Sequence, residues 1–280
     1  MFFKRRPRIA ELSGMEWRQR AVPAACAGVQ TMLLPDELRL LDFLADTYYE
    51  GRGVIVDAGC FVGGSTVALA AALRRNLARR RRREQHLIHS YDIFAIEEWT
   101  RGIFFPETAQ AGDSFRPIFD RNIADFADLV AVHPGNITAA PWIGAPIEIL
   151  FVDVAKHWTV CDWLSANFFR HLIPGRSIVI QQDYLYHHWN AWIHVTMEYY
   201  RDHFEMLFDT TYNSVVFLHT KKFGRRAIQP KTVASLSDAE KATLMDRAAA
   251  RFSGEQRHML VAAKEHFLGM LAAEREPGFR

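Results

Sequence analysis

Apolar residues in this chain alternate between short continuous runs and helical spacing, and that alternation predicts the fold. Runs rich in β-branched and aliphatic residues stand at 54–58, 86–92, 129–133, 147–153 and 177–183. Continuous apolar runs of this length read as buried parallel strands, covered on both faces. Between them the spacing changes to a helical period. Leu38, Leu41 and Leu44 give an apolar face to a helix over about 35–49, opened by Pro35-Asp36-Glu37, because proline and acids suit a first turn. Further helices are expected after Gly64, near 117–126, over 159–172 and over 189–203. Two later runs, 204–209 and 214–219, joined by Thr210-Thr211-Tyr212-Asn213, read as a strand pair.

Strands alternating with helices indicate a doubly wound, Rossmann-like α/β fold with a mostly parallel sheet. The final pair of strands adds an antiparallel hairpin, and the tail beyond it is helical. Ser237 with Glu240 and Ser253 with Gln256 have capping-box spacing. Met259, Ala263, Phe267 and Met270 then line one face of the last helix, a surface for packing on the domain or on a second copy in a homodimer. The expected organisation is an irregular segment 1–34, the α/β domain 35–222 and a helical extension 223–280. Residues 94–115, mixed aromatic and polar, read as a lid in which Trp99, Phe104 and Phe105 would touch substrate.

Composition narrows the function classes. The 280 residues are 49% hydrophobic with a net charge of +2. A core is easily built, and nothing in the overall charge calls for a nucleic-acid or membrane partner. The Arg79–Arg83 run follows a helix and reads first as a solvated basic end, with a nucleic-acid patch as the alternative. Cys26, Cys60 and Cys161 are scattered without metal-type spacing, which suits a reducing compartment. No apolar run approaches the roughly 18 to 20 residues of a membrane helix. A cytoplasmic protein is therefore the expectation.

The candidate chemistry collects at strand ends. Val54-Ile55-Val56-Asp57-Ala58-Gly59 runs through Gly63-Gly64-Ser65 into a helix-forming segment. Glycines let a backbone approach a ligand closely, and the helix start presents N–H donors. Asp57, Asp92, Asp153 and Asp183 all fall near strand ends, the edge at which parallel sheets bind ligands. The turn is Gly59-x-x-x-Gly63-Gly64 and not the G-x-G-x-x-G of dinucleotide binders, which argues against a nicotinamide-dependent oxidoreductase.

The stretch 56–66 resembles motif I of class I S-adenosylmethionine-dependent methyltransferases, and most of all the small-molecule O-methyltransferases. The similarity extends over about 35–222, including a seven-strand order that ends in a hairpin. The resemblance implies S-adenosylmethionine as cofactor, with Gly59 and Gly63 admitting its methionine part. Ser65 would help hold its carboxylate, and Asp57 would orient the turn or the amino group. Asp92 would accept the ribose hydroxyls, and Asn136 would border the adenine. It further implies a small-molecule hydroxyl acceptor of sugar, polyketide or catechol type.

If the fourth and fifth strands pair, Asp153 and Asp183 can share a divalent cation such as Mg²⁺, which would activate the acceptor hydroxyl. Asp153-Val154-Ala155-Lys156 is similar to the D-x-x-K of metal-dependent catechol-type enzymes, where the lysine is the base. Gln182-Asp183-Tyr184 is similar to macrocin-type sugar O-methyltransferases and the cephalosporin-hydroxylase-like group. Gln182 departs from the acid or Asp-Asn pattern usual there; its amide oxygen is still a ligand but carries no charge, so metal dependence stays open. Lys156 is the expected base with metal, and His157 or His187 without it. Lys156 would need a lowered pKa for that role. A non-catalytic cofactor-binding protein on the same fold is the other reading.

Overall fold

Five residues, Val54–Ala58, form β1, and every one of them is buried. The computed structural model describes residues 9–81, 86–186, 189–210, 213–224, 228 and 232–275. Contacts divide the chain into two compact units, Met1–Phe151 and Val152–Arg280.

In the first unit, α1 (Ile9–Ser13) and two short helical turns precede α2 (Pro35–Phe43). The helix expected over about 35–49 keeps its proline start, but its last part is a single wide turn, Leu44–Tyr48. After β1 come α3 (Gly64–Arg75), β2 (Ile88–Asp92), α4 (Glu98–Phe104), α5 (Arg116–Asn122), β3 (Val130–Pro134) and β4 (Ile147–Val152). β1 pairs in parallel with β2, and β2 with β3, in register Ile55 to Ile88 and Ile88 to Val130. Ala68, Leu69, Ala72 and Leu73 of α3 are fully buried, as are Val54, Ile55 and Val56. Full burial of a helix face and of a strand on both sides is the main stabilising term here. α3 begins at a glycine because Gly64 meets Thr31: a Cβ at Gly64 would lie 2.5 Å from the Thr31 hydroxyl.

The second unit contains α6 (Trp158–Asn167), β5 (Ile178–Gln181), α7 (Ala191–Tyr199), β6 (Phe204–Asp209), β7 (Val215–His219), α8 (Asp238–Ala249) and α9 (Gly254–Arg275). β5 and β6 each pair antiparallel with β7, and β6 carries an irregularity between Met206 and Phe208. The capping box at α8 forms as its spacing predicts: Ser237 and Glu240 exchange side-chain and backbone bonds. The buried face of α9 is centred on Leu260, Ala263 and Phe267. Met259 sits beside that face and Met270 is 38% exposed, so the expected stripe is shifted by one residue and shorter.

The seven strands lie in the order β3-β2-β1-β4-β5-β7-β6. The order reverses between β1 and β4, and in sheets of this kind the crevice outside the strand carboxyl ends at that point takes the ligand. Among the described residues no helix is long and apolar enough to cross a membrane. The residues His187, Thr211, Tyr212, Arg82 and Arg83, to which the sequence assigns roles, lie outside the described residues.

Candidate functional site

The turn after β1 is built by three left-handed residues: Gly59 at φ 95°, Phe61 at φ 47° and Gly63 at φ 104°. Gly59 and Cys60 donate their N–H groups to the Tyr91 carbonyl at 2.8 and 3.2 Å, fastening the turn to β2. Gly63 N–H bonds to Cys60 O at 2.9 Å, and the first bond of α3 runs from Val67 N–H to Gly63 O at 2.8 Å. The N–H groups of Gly64, Ser65 and Thr66 therefore precede the helical ladder and form the positive end of its dipole. A side chain at Gly63 would press on Phe119 and Ile123 at 3.4 Å and would also be strained by the positive φ.

Asp57 is fully buried. Its carboxylate accepts the Ser65 hydroxyl at 2.9 and 3.0 Å and the Thr66 hydroxyl, and Thr66 in turn contacts Ser90 at 3.1 Å. Asp57 thus clamps the first turn of α3 onto β1. Ser65, expected to hold a ligand carboxylate, has its hydroxyl directed at Asp57, so its backbone N–H is the group left for a ligand. Burial pushes the Asp57 carboxyl up from 3.8 to about 6, against the pull of the Thr66 and Ser65 hydroxyls. A buried acid whose pKa rises on folding binds more protons folded than unfolded, so its contribution to stability falls as pH rises between those two values. Over about 4 to about 6 the loss is on the order of 3 kcal/mol, at about 1.4 kcal/mol per pH unit. Urea unfolding across that window should show wild type losing stability relative to Asp57→Asn as pH increases. A pH-independent difference between the two would reject the assignment.

Asp92 ends β2. One carboxylate oxygen accepts Phe61 N–H and the other Phe94 N–H, both at 2.8 Å. Burial raises its pKa, and the Phe94 and Phe61 N–H groups oppose the rise. A carboxylate has about four acceptor positions, and with Ile93 N–H as a third backbone donor at least one stays open for a ligand hydroxyl. Gly135 N–H bonds to Asp92 O at 2.8 Å, which brings the loop carrying Asn136 to the same strand end. Asn136 caps the following turn by accepting the Thr138 N–H and hydroxyl, each at 2.9 Å. Of the sequence-assigned cofactor residues, Asp57 lies on β1, Gly59 and Gly63 on the turn after it, Ser65 in the first turn of α3, Asp92 at the end of β2 and Asn136 just beyond β3.

The segment expected to be a lid is folded onto that turn. Ala95 pairs with Ser114, α4 lies between them, and the Phe61 ring meets Phe104, Phe105 and Phe115 edge-on at 5.4, 5.8 and 5.3 Å. Phe105 is buried, which corrects its expected role as a substrate contact: it anchors the segment. Trp99 remains 59% exposed. Phe61 and Thr31 are not singled out by the sequence. Only the left-handed backbone at Phe61 and the close packing of Thr31 on Gly64 mark them, and neither has a residue-type signature.

In the second unit, Asp153, Lys156, Gln182 and Asp183 come together. Lys156 Nζ lies 3.3 Å from an Asp153 oxygen and 3.5 Å from the Gln182 amide oxygen, and it pairs closely with Asp183. Asp183 has φ 60°, and its carbonyl accepts the Asn190 side-chain amide and, at 3.3 Å, Tyr186 N–H. Burial would lower the Lys156 pKa, but the Asp153 and Asp183 charges more than offset it and the net direction is up. The direction is opposite to the lowered pKa that the expected base role needs, and the ammonium stands as a donor between the carboxylates. His157 caps α6, its Nδ1 accepting Thr159 N–H at 3.3 Å and contacting the Thr159 hydroxyl at 2.9 Å.

The donor set does not fit Mg²⁺ as it stands, because an ammonium already contacts all three of the expected oxygen ligands. Among the described residues, no three His, Cys, Asp or Glu side chains are grouped to hold a metal ion. The turn after β1 does fit an adenosyl amino acid, since it offers helix N–H groups for an anion and a carboxylate with spare acceptor positions for a diol.

No family model matches the chain, and no curated protein matches it. Its fold is similar to solved methyltransferases. A calicheamicin methyltransferase is 14% identical, with 75% of this chain and 90% of that chain covered and a TM-score of 0.46. Coclaurine N-methyltransferase bound to N-methylheliamine and SAH is 10% identical, with 93% and 78% covered and a TM-score of 0.37. Human N-acetylserotonin methyltransferase in complex with SAM is 10% identical, with 66% and 56% covered and a TM-score of 0.33. At such identities and scores these likenesses carry no weight for activity, which has to come from the site.

Proposed function

We propose that this chain transfers a methyl group from S-adenosylmethionine to a hydroxyl of a small molecule. The observation that supports it most is Asp92, whose carboxylate is fixed by backbone N–H groups and keeps at least one acceptor position, on a strand end bonded to the turn that opens α3. When bound, the sulfonium cofactor supplies an electrophilic methyl group. Asp92 would accept both ribose hydroxyls, and the N–H groups of Gly64, Ser65 and Thr66 would meet the cofactor carboxylate. Asp57 keeps those donors in place. An acceptor oxygen would take over one Lys156 donor, most readily the one now 3.5 Å from the Gln182 amide oxygen, and the ammonium charge would favour its anionic form. Asp183 would take the hydroxyl proton, its carboxylate already held toward Lys156. The rate gain would come from positioning and from a charged, preformed environment.

Calorimetry tests this directly. S-adenosylhomocysteine should bind with a micromolar or tighter Kd, on the order of −8 kcal/mol, and NADH should give no heat. NADH binding without S-adenosylhomocysteine binding would overturn the proposal. A second reading, a cofactor-binding protein without transfer, is favoured by one observation: Lys156 is bonded to both carboxylates that could serve as base. Single-turnover methyl transfer to any hydroxyl acceptor would separate the two.

A further inference from the structure

We infer that the Lys156 ammonium is the built-in cation of the Asp153–Asp183 pair and keeps this cluster from binding a divalent metal ion. An ammonium has three donors, and three side-chain oxygens surround it: Asp153, Asp183 and Gln182. Donors and acceptors match in number. The charges match less completely, two carboxylates against one ammonium, so removing the lysine takes away the positive charge that both carboxylates face.

The arrangement is held in place by its own surroundings. Gln182 is 5% exposed, and its backbone N–H donates to Val152 O at 3.0 Å, which ties the residue just past β5 to the one before Asp153. Asp183 adopts a left-handed backbone that most side chains avoid but aspartate tolerates. Asn190, 4% exposed, clamps its carbonyl, so the carboxylate is directed at Lys156 by the turn itself. Mg²⁺ needs oxygen ligands at close range in octahedral order and keeps several waters. It cannot enter among these oxygens without displacing the ammonium, and with the ammonium present it meets a like charge at short range. Gln182 weakens the cluster for a divalent ion a second time, because it supplies an oxygen without a charge.

The exclusion is a property of the cluster. Its catalytic consequence, a transfer indifferent to chelators, rests on the methyltransferase reading. The test is made without cofactor or acceptor. Mn²⁺ is titrated into the full chain and followed by the electron paramagnetic resonance signal of the free ion. Wild type should leave Mn²⁺ free up to ~1 mM, the range of weak carboxylate sites. Lys156→Ala should bind one ion at least ~10-fold more tightly than wild type, as removal of a neighbouring positive charge requires. The double variant Lys156→Ala with Asp183→Asn should return to wild-type behaviour. Lys156→Gln, which keeps a long uncharged side chain, provides the same comparison if the alanine variant does not fold. One-to-one binding by wild type that disappears in Asp183→Asn would overturn the inference. So would a folded Lys156→Ala or Lys156→Gln that binds no more tightly than wild type. S-adenosylhomocysteine binding, measured separately on the same proteins, reports on the cofactor site, and its failure would leave the Mn²⁺ result standing.

Discussion

Replacing Glu148 by alanine is expected to lower the free energy of unfolding by about 4 kcal/mol, because buried donors left without an acceptor cost about 1 to 3 kcal/mol each. Glu148 is fully buried on β4. Its two oxygens accept the N–H groups of Glu50 and Arg52 at 2.6 Å and of Gly53 at 3.1 Å. Those three donors belong to the tight approach that delivers the chain into β1. The approach tolerates no other route, since a Cβ at Gly53 would lie 2.6 Å from Pro146 O and 2.7 Å from Glu148 N, both backbone atoms. Glu148→Gln keeps one acceptor and should lose about half as much. Urea unfolding followed by tryptophan fluorescence measures both. An alanine variant within about 1 kcal/mol of wild type would show that these bonds do not hold the turn.

The second large effect is on ligand binding. Asp92→Ala should weaken S-adenosylhomocysteine binding by ~100-fold or more, the loss of two charge-assisted bonds at roughly 1.5 to 3 kcal/mol each. Part of that loss would come from the protein, because Phe61 N–H and Phe94 N–H lose their acceptor. Asp92→Asn retains one oxygen and should cost ~10-fold. The 2′-deoxy analogue of the ligand separates the two contributions: wild type should discriminate against it, and Asp92→Asn should discriminate much less. Equal discrimination by both proteins would remove Asp92 from the ribose.

Much of this architecture is legible in the sequence. Val54–Val56 is β-branched, Gly59 and Gly63 sit where positive φ is needed, and an alanine-rich helix follows, so residue types and backbone demands agree over 54–75. The strand pair at 204–219 is readable for the same reason. The acceptor side is less so. The Asp153-x-x-Lys156 spacing lets those two meet, but the approach of Asp183 depends on its left-handed backbone, which no local pattern announces. Segment 94–115 reads as a loop from its polar residues. Its order comes from ring-to-ring contacts with Phe61, which are distant in sequence and have no local period.

Phe61 belongs to two structures at once. Its N–H holds the Asp92 carboxylate, while its ring is gripped by Phe104, Phe105 and Phe115. The ring contacts of segment 94–115 and the donor on Asp92 thus share one residue and one left-handed backbone. Thermodynamic reciprocity then applies: whatever free energy an occupant of Asp92 gains from a fixed segment, the segment gains from that occupant. On the proposed function, ligand affinity at Asp92 and the packing of segment 94–115 on Phe61 would be linked through that one residue.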